Sequence, residues 1–161
     1  MAFKTISVCG REEIAGFLKK QSATRVLSIN SPGRITETPA GILATEHFQL
    51  AIRDTHDPAD PDAPNMKQAK RILDWVRTQP DESHLLVHCT LGLSRSPAVA
   101  LGLLASQSPA RQAAKTLRSI RPTAMPNRLI VHRWDELLGL NDQLVRAVDT
   151  FPEPDWSWRC S

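Results

Sequence analysis

At 161 residues and 17.9 kDa the chain is the size of one ordinary domain, long enough for a single substantial core. Hydrophobic residues make up 41% and charged residues 23%, a globular balance that excludes disorder, and a net charge of +3 gives no general affinity for nucleic acid or membrane surface. The opening MAFKTISVCGREE has no apolar run of signal-peptide length, and nothing later approaches the roughly 18 apolar residues of a membrane span, so a cytoplasmic protein is expected.

Residues 3–8 read as a first strand, and 11–20 as a helix with Ile14, Phe17 and Leu18 at helical spacing. Residues 25–30 (RVLSIN) form a second strand, closed by Ser31, Pro32 and Gly33. In 47–52, Phe48, Leu50 and Ile52 alternate toward one face, the pattern of a half-buried strand. The stretch DTHDPADPDAP that follows is a loop. Met66, Ala69, Leu73 and Val76 then line one side of a helix over 65–78, widened by Ile72 and Trp75. Leu85, Leu86 and Val87 form a short apolar run, as a central strand buried on both faces requires. Three more helices are expected near 96–105, 109–121 and 127–140, the last burying Ile130, Trp134, Leu137 and Leu138. The expectation is one α/β domain over residues 1–161, with helices flanking a central, mostly parallel sheet. Residues 151–161, with Trp156 and Trp158, either dock on the body or form a loose tail.

The cysteines Cys9, Cys89 and Cys160 are odd in number and far apart, a poor fit to a disulfide framework or a zinc site. Free thiols in a reducing compartment are the simpler reading. Cys89 has a distinctive setting. It ends the buried strand and is followed by Thr90, Leu91, Gly92, Leu93, Ser94, Arg95 and Ser96, with Pro97 where a helix tolerates it in its first turn. An arginine six residues after a cysteine means little alone; the residue six after Cys9 is Ala15. A loop between strand and helix, however, places successive N–H groups around a hollow at a helix N-terminus, which binds a phosphate dianion. Gly92 allows a left-handed backbone there. The same field favours a thiolate on Cys89. Arg95 offers a planar two-donor fork to phosphate oxygens, which lysine lacks.

His88 through Ser96, His-Cys-x-x-Gly-x-Ser-Arg-Ser, resembles the signature of the protein tyrosine and dual-specificity phosphatases, with the small bacterial-type enzymes most similar. The likeness runs from about His47 to Leu138. It implies a phosphate-binding loop between a central strand and a helix, a phosphocysteine intermediate on Cys89, and hydrolysis without a metal or other cofactor. It also implies that Ser96 stabilises the departing thiolate and that His88 orients the loop. The general acid and base should be an aspartate at a strand end some thirty residues upstream. Asp54, 35 positions before Cys89, fits this setting as Ile-Arg-Asp-Thr, and Asp57 is the rival. Pro126 and Asn127 resemble the family step that buttresses the phosphate loop; a plain asparagine helix cap reads equally well.

Other polar residues read more plainly. Asp57, Asp60 and Asp62 belong to a solvated loop whose prolines are wrong for a calcium site. His47, His56, His84 and His132 are surface or satisfied core residues. Leu91 stands where the family commonly has a small residue, which makes the pocket rim apolar. Thr90, Leu91, Leu93 and Ser94 include none of the lysines that flank this loop in phosphoinositide phosphatases, so the resemblance disfavours an inositol lipid. The expected partner is a phosphorylated protein or peptide, not nucleic acid or membrane. The competing readings are a phosphoprotein-binding pseudophosphatase and a thiol-dependent oxyanion reductase, which would need Cys9 or Cys160 as a resolving thiol.

Overall fold

A computed structural model describes residues 3–21 and 23–152, so Trp156, Trp158 and Cys160 lie outside the described residues. Four strands form one fully parallel sheet in the order β1-β4-β2-β3: β1 (Thr5–Gly10), β2 (Arg25–Asn30), β3 (His47–Ala51) and β4 (His84–Cys89). A parallel sheet needs both faces covered and a crossover between strands consecutive in the chain. Helix α1 (Ile14–Gln21) provides the crossover from β1 to β2, and α2 (Met66–Arg77) that from β3 to β4. The crossover from β2 to β3, residues 31–46, contains no α-helix and only a short 3-10 turn, Ala44–Glu46.

The main core joins Val8, Leu27, Ile29, Val87 and Cys89 of the sheet to α2 and to α3 (Arg95–Ala105), α4 (Ala110–Ile120), α5 (Arg128–Leu138) and α6 (Gln143–Ala147). A smaller cluster of Cys9, Ile14, Ala23 and Leu86, with Phe17 and Leu18 against it, holds α1. Helix α3 is buried along its whole length, as its run of apolar and small residues requires. At Gly102 a Cβ would stand 2.1 Å from the ring of Trp134, so the absent side chain is what lets the fully buried tryptophan of α5 pack on α3. Helix α2 starts at a reciprocal cap in which the Asn65 side chain accepts from Gln68 N–H and the Gln68 side chain accepts from Asn65 N–H, both at 2.9 Å.

The fold class and the order of elements follow the reading from sequence, with local differences. Strand β1 begins at Thr5 rather than residue 3 and runs to Gly10, in register with the whole of β4. Strand β4 starts one residue before the Leu85–Val87 run and ends at Cys89 as expected, with its two histidines paired within the sheet, His84 with Ser7 at 2.9 Å and His88 with Ser28 at 2.5 Å. Met66 is 45% exposed at the first turn of α2 and does not join the buried stripe. Helix α6 was not expected. Asp135, 4% exposed on α5, nucleates it by accepting from the N–H groups of Asp142, Leu144 and Val145 at 2.8–3.2 Å.

Candidate active site

Because all four strands point the same way, their carboxyl ends share one edge of the sheet. The residues just beyond those ends are Arg11, Ser31, Ile52 to Asp54 and the loop after Cys89. Ligands in parallel α/β sheets bind at this edge.

The loop 90–94 joins β4 to α3, and every one of its carbonyls is held from outside. Thr90 O accepts from Arg11 N–H at 3.0 Å, and Leu93 O from Met125 N–H at 2.7 Å. Ser94 O accepts from Asn127 N–H at 3.1 Å and from Ala98 N–H at 3.3 Å. Arg121 takes the remaining two, Gly92 O through Nε at 3.0 Å and Leu91 O at 3.2 Å. In a trans peptide the N–H points opposite to the C=O, and the described chain has no cis bond. Carbonyls drawn outward therefore turn the N–H groups of Leu91, Gly92, Leu93, Ser94 and Arg95 inward. The result is an anion-binding hollow at the N-terminus of α3. Gly92 is essential to this shape. Its φ is +70°, and a Cβ there would lie 2.4 Å from the carbonyl carbon of Cys9 on β1.

Cys89 is 3% exposed at the bottom of this loop. Its Sγ accepts from Gly92 N–H and from Ser96 Oγ–H, each at 3.2 Å. Arg95, 5% exposed, is anchored on its far side: one terminal nitrogen donates to Ser31 Oγ and to Ile52 O, both at 3.1 Å. The other donates to Thr90 Oγ1 at 3.0 Å. Nε, although buried, makes no hydrogen bond among the described residues. Nε thus keeps a buried N–H donor for an oxyanion, beside a terminal nitrogen that gives one of its two protons to Thr90.

Asp54 faces this arginine. Its Oδ2 is 3.9 Å from Arg95 Nε, and its Oδ1 accepts from Ser94 Oγ–H at 2.8 Å and Asn127 Nδ2–H at 2.9 Å. Asp57 is exposed and accepts from Ala59 N–H within its own turn. The structure therefore brings Asp54, not Asp57, against the loop. The acidic stretch beyond is held by turns and by Arg53, which lies 3.6 Å from Asp60 and 2.9 Å from Asp62. No cluster of three or more potential metal ligands occurs among the described residues.

Asn127 serves both readings that its position allowed. Its Oδ1 caps α5 by accepting from Ile130 N–H at 3.0 Å, while Nδ2 donates to Asp54 and, at 3.2 Å, to Thr55 O. The clamps Arg11 and Arg121 were not foreseen. Arg121 is fixed by Glu13 in a two-point ion pair of 3.1 and 2.9 Å, and this bond holds the Glu13 carboxyl below its usual range. Two charges 108 positions apart carry no local signal. Leu91, 59% exposed, stands on the rim as an apolar side chain. Cys9 lies on the opposite sheet face from Cys89, among the residues under α1, and burial pushes its thiol up to about 12. That is a poor setting for a resolving thiol.

No family model matches the sequence, and no curated protein does. Solved structures do. The phosphatase domain of Yvh1 from Chaetomium thermophilum is 19% identical with a TM-score of 0.61, the match covering 86% of this chain and 93% of that one. The human tyrosine phosphatase-like serine/threonine/tyrosine-interacting protein is 17% identical with a TM-score of 0.61, over 83% and 87%. PTPMT1, in a complex with PI(5)P, is 14% identical with a TM-score of 0.60, over 84% and 91%.

Proposed function

On a chain with the fold of the cysteine-dependent protein tyrosine and dual-specificity phosphatases, we propose a protein phosphatase that hydrolyses phosphotyrosine through a phosphocysteine on Cys89. Phosphoserine and phosphothreonine are further substrates within this proposal. The observation that carries the reading is a single constellation. Cys89 Sγ is held by two donors, Arg95 is anchored from behind with its Nε making no hydrogen bond, and the Asp54 carboxylate lies 3.9 Å from that Nε.

The substrate phosphate sits in the hollow of inward N–H groups and faces Arg95. The Cys89 thiolate attacks phosphorus from the loop floor while the ester oxygen leaves on the opposite side. Asp54 gives that oxygen its proton. Loop donors gain strength as charge spreads over the equatorial oxygens in the transition state. In the second step Asp54, now a carboxylate, takes a proton from the water that attacks phosphorus. The S–P bond breaks, and the sulfur leaves as a thiolate stabilised by Ser96 Oγ–H. Turnover thus releases inorganic phosphate and restores Cys89.

Leu91 on the rim supplies apolar contact for an aromatic ring. A phosphoprotein is preferred to an inositol lipid because Thr90, Leu91, Leu93 and Ser94 present no cation to a second headgroup phosphate. PTPMT1 bound to PI(5)P makes that comparison a necessary control. No described helix is long and apolar enough to cross a membrane.

The test is release of phosphate from an aryl phosphate and from a phosphotyrosine peptide at about pH 6. Turnover by the unmutated chain and its loss in Cys89→Ser are expected. No turnover, or an unchanged rate in Cys89→Ser, rejects the reading.

A further inference from the structure

His88 is fully buried in the central strand and shares a sheet face with Cys9 and Ser28, its partners in register on either side. Its Nδ1 lies 3.3 Å from the carbonyl oxygen of Cys89, and its Nε2 lies 2.5 Å from Ser28 Oγ. The same hydroxyl is 2.8 Å from Nε2 of His47, the first residue of β3. Nδ1 of His47 is in turn 2.9 Å from Oγ1 of Thr38, in the helix-free crossover. One chain of hydrogen bonds therefore runs from that crossover, across β3, β2 and β4, to the carbonyl of the proposed nucleophile.

The direction of the chain follows from its inner end. A carbonyl only accepts, so His88 must carry its proton on Nδ1. Burial, the largest influence, pushes the His88 ring down to about 4, so the ring is neutral and its Nε2 is a bare acceptor. Ser28 has one hydroxyl proton, and it goes to His88 Nε2. The serine oxygen then accepts from His47 Nε2–H, and His47 Nδ1 accepts from Thr38 Oγ1–H. The reverse polarity would set the lone pair of His88 Nδ1 against the Cys89 carbonyl oxygen.

We propose that Ser28 and His47 are positioning residues: through this chain they fix His88 as its Nδ1–H tautomer and so hold the Cys89 carbonyl at the entry to the phosphate loop. The effect on turnover rests on the phosphatase reading above, whereas the tautomer does not. Neither residue touches the hollow. Both act through His88, which is why a strand serine and a half-buried histidine stand out only once β2, β3 and β4 are assembled.

The test pairs imidazole ¹⁵N spectroscopy with kinetics on Ser28→Ala, His47→Phe and the conservative His47→Gln, which restores a donor toward Ser28. In the unmutated protein at neutral pH the His88 signals are those of the Nδ1–H tautomer. Ser28→Ala moves them toward the Nε2–H form and lowers kcat on an aryl phosphate by about tenfold with KM little changed, since the loop is displaced rather than emptied. His47→Phe shifts both readouts the same way, and His47→Gln recovers them. An Nε2–H tautomer in the unmutated protein overturns the proposal. So does a Ser28→Ala variant, folded by its thermal transition, that leaves tautomer or kcat unchanged. Absence of turnover in the unmutated chain counts against the phosphatase reading alone, and the spectra then decide the polarity of the chain.

Discussion

Replacing Asn127 separates its two tasks. In Asn127→Ala the cap on α5 is lost, at about 1 kcal/mol. The Nδ2 donor to the carboxylate of Asp54 is lost as well, and a hydrogen bond to a charged group contributes about 1.5–3 kcal/mol. Asp54 is 11% exposed, so water replaces that donor poorly. The variant should lose about 2.5–4 kcal/mol of stability, and a domain of this size loses about 2–4 °C in Tm per kcal/mol. Asn127→Asp keeps a good capping oxygen but sets a second carboxylate where the amide stood 2.9 Å from Asp54. It should be the less stable of the two at neutral pH. Urea and thermal unfolding of both variants read the order directly, and kcat on an aryl phosphate should fall in both as Asp54 loses its hold. If Asn127→Asp is as stable and active as the unmutated chain, the asparagine is a cap alone and the buttressing argument is wrong.

Asp54→Asn should slow phosphate esters with poor leaving groups by about 100-fold or more while sparing p-nitrophenyl phosphate, whose leaving group needs little protonation. Equal losses on both esters, or none, would remove Asp54 from the acid role. His88, pushed down to about 4, stays neutral in the folded chain while the unfolded chain takes up its proton near pH 6.5. The unfolded state thus binds more protons between about pH 4 and 6.5, and stability rises with pH across that window. Urea midpoints in a pH series should show this slope, and His88→Gln should flatten it to the smaller share left by His47, also lowered by burial. Parallel slopes would contradict the assignment. Cys9, buried with its thiol pushed up to about 12, should escape iodoacetamide in the native protein while Cys89 reacts. Peptide mapping that finds label on Cys9 would place it outside the buried cluster.

The strands and most helices were legible because each carries its own period of apolar residues, and RVLSIN matches β2 residue for residue. The Cys89 to Ser96 loop was legible for a related reason: its parts are contiguous. Asp54 was within reach because a strand end marks it, and the structure settles its contacts by turning Asp57 to solvent. What escaped reading is long-range and polar. Glu13 with Arg121, Arg11 with the Thr90 carbonyl, and Ser28 with both His47 and His88 become neighbours only when the whole sheet and its helices are assembled. The polar His84 conceals the start of β4 in the sequence, because its partner Ser7 lies on β1. Helix α6 was hidden similarly, since its organiser, Asp135, sits on the preceding helix.

The outward bonds that shape the phosphate loop come from both ends of the chain, from Arg11 before it and from Arg121, Met125 and Asn127 after it. A ribosome therefore releases the cysteine well before it releases the segment that curls the loop around an anion. Until residue 127 has emerged and docked, the nascent polypeptide carries Cys89 without a cradle. The hollow of inward N–H groups thus forms with completion of the domain rather than piece by piece.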